Sequence, residues 1–98
     1  MTRSADYPPE YVAYAREFGL NLQRLRSARG LTHRDIAEIA GLSENTYQKL
    51  ESGHSKPDTP LNPRLRTLIR LSQALEVPVG EIMPDFPPDL TKGRRSAS

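Results

Sequence analysis

Ninety-eight residues, 36% hydrophobic and 27% charged, provide for one small soluble domain of four or five helices round a single core and leave no room for a second. No apolar run approaches membrane length, the N-terminal MTRSADYPPEY lacks the apolar segment of a secretory signal, and the absence of cysteine excludes disulfides and thiolate metal sites, so the expected setting is cytosolic. The formal net charge is only +2, but residues 21–56 hold six Lys or Arg against four acids and residues 84–98 hold three against two, a weakly basic balance compatible with nucleic acid.

Tyr11, Tyr14, Ala15, Phe18, Leu22 and Leu25 recur at three- and four-residue steps, which predicts a first helix from about Pro9 to Arg29, ended by Gly30. Thr32 followed by Asp35 resembles a capping box with Asp in place of Glu and opens a second helix, His33 to Ala40, with Ile36, Ala37 and Ala40 inside. Gly41 closes it. Ser43 is an N-cap and Gly53 a left-handed stop, so Glu44 to Ser52 is a third, short helix. At 100° per residue its Tyr47 and Leu50 share one side with Glu51 at the margin, while Asn45, Gln48, Lys49 and Ser52 fill the other. Asn62 and Pro63 are expected to cap and start a fourth helix with Leu65, Leu68, Ile69, Ser72 and Leu75 as its stripe. Val79 to Met83 makes a last helical turn, and residues 84–98 have the proline and polar content of a disordered tail. No strand pattern is visible. Between Gly53 and the fourth helix, Pro57, Pro60 and Pro63 at three-residue spacing favour a stiff, extended path.

Two short helices meeting at a tight glycine turn, the second polar on its outer side, form the helix-turn-helix unit that sets one helix in the major groove. The stretch GLTHRDIAEIAGLSENTYQKLESG resembles the Cro/repressor-like helix-turn-helix family, also called the xenobiotic-response-element family. LQRLRSARG before it and LIRLSQALEVPVGEIM after it fit that family's first, fourth and fifth helices, so the likeness covers residues 18–83, with 1–17 as an N-terminal extension of one domain spanning 1–83. The resemblance implies an all-α, five-helix, lambda-repressor-like fold and a sequence-specific regulator of transcription that acts on double-stranded DNA as a homodimer. It places base contacts on Glu44, Asn45, Thr46 and Lys49, and phosphate contacts on Thr32, His33, Ser43, Ser52, His54 and Lys56.

The side-chain chemistry partly agrees. Asn45 can bond bidentately to adenine, Lys49 can donate to guanine, and Thr46 offers a methyl to thymine or a hydroxyl to phosphate. Glu44 either accepts from cytosine N4 or merely favours the positive end of its helix. His33 stands where the family usually has Gln; both can donate to a phosphate, the histidine more strongly when protonated, so binding would strengthen at mildly acid pH. The proline-rich loop either presents Lys56 to a phosphate or holds it clear. Glu51 sits where an unpaired carboxylate would be costly, and the resemblance pairs it with Arg26 as a structural ion pair.

Other features have plain explanations. Tyr7, Tyr11 and Tyr14 read as packing, Arg94 and Arg95 as part of the tail, and two histidines without a spaced acid ligand make no metal site. No cofactor or small-molecule effector is indicated. There is no phosphate loop, no nucleophile beside a base and no converging carboxylate pair, so an enzyme is not expected. The rival class is a helical protein-interaction module, antitoxin-like or polymerase-associated, with little DNA affinity of its own.

Overall fold

A computed structural model describes residues 7–91. Within them the chain runs α1 (Pro9–Ala28), α2 (His33–Ala40), α3 (Glu44–Ser52), β1 (His54–Lys56), β2 (Thr59–Pro60), α4 (Leu65–Leu75) and α5 (Val79–Ile82). The residues expected to start and stop the first three helices do so. Thr32 and Asp35 form a full capping box, each side chain bonded to the other's backbone N–H at 3.0 Å. Gly41 ends α2 in the left-handed conformation at φ 73°, letting Leu42 N–H bond back to Ala37 O at 2.8 Å. Ser43 then caps α3 by accepting from Thr46 N–H.

Ala15, Phe18 and Leu22 of α1, Ile36, Ala37 and Ala40 of α2, and Tyr47 and Leu50 of α3 meet Leu71, Ala74, Leu75 and Ile82 in one core. Two glycines set how closely α3 can lie on α1. A Cβ at Gly19 would fall 2.2 Å from the carbonyl oxygen of Glu51, so the helices approach through a position that only hydrogen fills. Gly53, at φ 81°, both ends α3 and passes against the Arg16 backbone. Polar ties complete the frame. Asn21 donates to Ile82 O, and Arg29 donates to Leu75 O at the C-terminus of α4 while pairing with Glu76.

The connection after Gly53 is not the stiff proline rod expected. It folds into a small antiparallel hairpin with Pro57 and Asp58 at the turn, Lys56 opposite Thr59, His54 opposite Pro60, and an irregularity between. Strands of three and two residues are too short to show an alternating pattern, which is why none was visible. Proline fits here because it lies in the turn and at the end of β2, where no ladder donor is needed. The hairpin is anchored by Leu61, buried, whose N–H bonds to Gly53 O at 3.0 Å. Tyr11 Oη donates to Leu61 O at 2.6 Å and Tyr14 Oη to Pro84 O at 3.2 Å, so these two tyrosines serve packing.

Helix α4 corrects two expectations. It starts at Leu65 with Arg64 as N-cap, leaving Asn62 and Pro63 in the preceding segment. Its buried face is Leu71, Ser72, Ala74 and Leu75 with Leu68 partly covered, whereas Leu65 and Ile69, both expected inside, are 72% and 41% exposed. Pro84 is buried, so the chain stays on the body just past the expected domain end at 83. Residues 85–91 of the expected tail form no helix or strand and are mostly exposed, and the rest of it, with Arg94 and Arg95, lies outside the described residues.

Candidate nucleic-acid interface

Helix α3 is anchored by little. Tyr47 and Leu50 are its buried residues, while Glu44, Asn45, Thr46, Gln48 and Lys49 are all exposed on its outer side. A nine-residue helix with so narrow an apolar seam gains its stability from the docking below it, which leaves amide, hydroxyl and ammonium groups turned outward. The four expected base readers, Glu44, Asn45, Thr46 and Lys49, are therefore all exposed.

Helix α3 is also held by charge. Arg26 Nε lies 2.6 Å from Glu51 Oε2 and Nη2 lies 3.4 Å from Oε1, while Nη1 donates to Leu31 O at 2.8 Å. The expected ion pair is thus formed, with the two side chains 14% and 9% exposed. His33 joins it, with Nε2 3.0 Å from Glu51 Oε1 and its ring tilted against Tyr47 at a centroid distance of 6.0 Å. Burial pushes the Glu51 carboxyl up, but the bonds from Arg26, with His33 and the nearby Tyr47 hydroxyl adding to their effect, hold it below the ordinary value. Tyr47 Oη is buried and reaches no partner at hydrogen-bonding geometry; burial first, and the nearby Glu51 carboxylate second, raise its pKa far above that of a free phenol. The involvement of His33 could not be read from the sequence, because it requires knowing that the start of α2 crosses the end of α3.

The expected phosphate contacts differ in what they have left to offer. Thr32 Oγ1 accepts from Asp35 N–H, and its hydroxyl also lies against the Asp35 carboxylate, whose pKa the Thr32 N–H first and this hydroxyl second help to lower. Ser43 donates to Thr46 Oγ1 at 2.8 Å, so that pair retains one hydroxyl hydrogen between them. Ser52 is committed, donating to Lys49 O at 2.7 Å and accepting from His54 N–H, which fixes the start of β1. Lys49, Ser52, His54 and Lys56 gather, with Ser55 and Pro57, round a shallow cleft of about 310 Å³ at the junction of α3 and the hairpin. The hairpin therefore sets Lys56 and Lys49 on one cleft. Ser55 and Pro57 were missed because membership of the cleft depends on a turn that the sequence pattern did not reveal.

Among the described residues no group of His, Asp or Glu could hold a metal ion, and no helix is long and apolar enough to cross a membrane.

Comparison with known proteins gives consistent matches. Residues 17–82 match the helix-turn-helix domain family. Over 60 residues the chain is 33% identical to the SPbeta prophage-derived uncharacterized HTH-type transcriptional regulator YonR of Bacillus subtilis, covering 61% of this chain and about half (50%) of that relative's length. Among solved structures, the restriction-modification controller protein C.AhdI from Aeromonas hydrophila superposes with a TM-score of 0.64 at 28% identity, over 72% of this chain and 98% of that one. The clp gene regulator ClgR from C. glutamicum shares the fold, with a TM-score of 0.59 at 23% identity over 70% of this chain and 82% of its own.

Proposed function

Because the chain belongs to the helix-turn-helix domain family, we propose that it binds duplex DNA sequence-specifically, with α3 in the major groove, and regulates transcription. The family's work is regulatory, not enzymatic. The observation that carries the reading is the docking of α3 through Tyr47 and Leu50, which leaves Glu44, Asn45, Thr46 and Lys49 exposed. Asn45 and Lys49 supply the bidentate and donor chemistry that base edges require. Thr32, the Ser43–Thr46 pair, His33, His54 and Lys56 contact the phosphates, while Ser52 sets the backbone between Lys49 and His54. One such domain offers few base contacts, so the active species is a homodimer on two half-sites about one helical turn apart.

Fluorescence anisotropy on random duplex DNA over a salt series tests this. The expected result is a steep fall of affinity with salt, followed by selection of a preferred, two-fold related site from a random pool. Exposed Leu65 and Ile69, beside Arg66 and Arg70 on α4, are the feature that favours the rival, a protein-docking module. Weak, salt-insensitive duplex binding would decide for that rival.

A further inference from the structure

His54 lines the cleft beside Lys49, His33 packs against Glu51 and Tyr47, and each is bonded to a group that can only accept. His33 Nε2 lies 3.0 Å from a Glu51 carboxylate oxygen, and His54 Nδ1 lies 3.1 Å from the Ser52 carbonyl oxygen. A carboxylate and a carbonyl have no hydrogen to give, so in a neutral imidazole the single N–H must sit on the bonded nitrogen. The free nitrogen, Nδ1 of His33 and Nε2 of His54, then carries a lone pair. A phosphodiester oxygen is also acceptor-only, so a neutral histidine in either place presents the wrong group to DNA. It becomes a donor only after taking up a proton.

From this we propose that His33 and His54 are proton-gated phosphate contacts, so that binding of duplex DNA is coupled to the uptake of one proton at each histidine. The proposal rests on the DNA-binding reading and adds its regulation by pH. It also differs from an ordinary surface histidine, which can turn its N–H outward without protonation. Here that turn would break the internal bond.

The surroundings suit such a gate. Around His33 stand Glu51 and Tyr47 of α3, with Arg26 of α1 on the same carboxylate, and on its own helix Arg34 and Asp35, the latter engaged at Thr32 N–H. Glu51 is thus a positioning residue that fixes which imidazole nitrogen is available. Around His54 the cleft holds Lys49 of α3 and Lys56 of β1, with Asp58 at the exposed hairpin turn. A phosphate seated in that cleft meets two ammonium groups already and supplies the negative charge that a third cation needs. Glutamine at either position would donate without a proton, so histidine is what makes the contact respond to pH.

The test uses the full chain. Affinity for a fixed duplex is measured by anisotropy from pH 6 to 8.5 at constant salt, and proton uptake by calorimetry in two buffers of different ionisation enthalpy. With both gates working, affinity should fall by up to about tenfold per pH unit for each histidine as pH rises. His33→Gln and His54→Gln should each remove about one proton of uptake and bind more tightly than wild type at high pH, where the neutral histidine lacks the donor, and the double variant should be nearly flat. In the free protein at pH 8, long-range nitrogen–proton NMR should show the Nε2–H tautomer at His33 and the Nδ1–H tautomer at His54. The opposite tautomers, or duplex binding with the same proton uptake in wild type and both glutamine variants, would overturn the proposal alone. Absence of duplex binding at every salt concentration would overturn the DNA-binding function and this coupling with it.

Discussion

Replacing Arg26 with Ala would strip the Glu51 carboxylate of its guanidinium contacts at 2.6 and 3.4 Å and leave Leu31 O without its donor. Truncating one partner of a well-buried ion pair costs roughly 3–5 kcal/mol, because the other charge is left desolvated. Here the side chains keep 14% and 9% of their surface in water, and His33 still reaches Glu51 at 3.0 Å, so about 2–3 kcal/mol is the expected loss. Glu51→Gln should cost less, about 1–2 kcal/mol, since Arg26 retains Leu31 O and the amide can still accept one bond. The double variant should be more stable than the sum of the single losses by about 1–2 kcal/mol. Urea unfolding of the four proteins at pH 7, followed by circular dichroism, measures the coupling provided the m-values agree. Losses that add within about 0.5 kcal/mol would show that the two side chains are energetically independent and that α3 is held on α1 by packing alone. Acid supplies a second reading. The folded Glu51 carboxyl lies below its ordinary 4.5, so the stability it contributes is present above that pH and lost as pH falls through the lower folded value. The gap between wild type and Glu51→Gln should therefore close in acid.

Gly19→Ala puts a methyl group 2.2 Å from Glu51 O and should destabilise the protein by about 2 kcal/mol or more in a thermal melt, whereas Gly80→Ala, with nothing within 4 Å, should be neutral or stabilise by about 0.5 kcal/mol; equal effects would mean that α1 and α3 are not in close contact. Asn45→Ala and Lys49→Ala should each cost on the order of 1–3 kcal/mol on the preferred duplex and relax the preference at one base position, and equal loss on random DNA would remove them from the reading face. Lys56→Gln should weaken binding to all duplexes alike and lower the salt slope by about one counterion; an unchanged slope would place the hairpin cleft away from the phosphates.

The first three helices were legible because their signals are local. A capping box needs Thr32 and Asp35 three residues apart, a left-handed stop needs Gly41 or Gly53, and an outward polar face needs only the angle between successive residues. What the sequence could not rank was one set of apolar residues against another. Leu65, Leu68, Ile69, Leu71 and Leu75 support more than one helical stripe, and only the packing of α4 against α2 and α5 chose Leu68, Leu71 and Leu75 and turned Leu65 and Ile69 outward. The hairpin lay below the threshold of pattern, since five strand residues interrupted by prolines look like an extended chain until Leu61 returns to Gly53. The pairing of Arg26 with Glu51 could be anticipated from family likeness, but the third member, His33, and the absence of a side chain at Gly19 are consequences of two helices crossing. Periodicity and caps fix where a helix lies in the chain. Which atoms of two helices touch is set by their mutual rotation and distance, and those exist only once the core has closed.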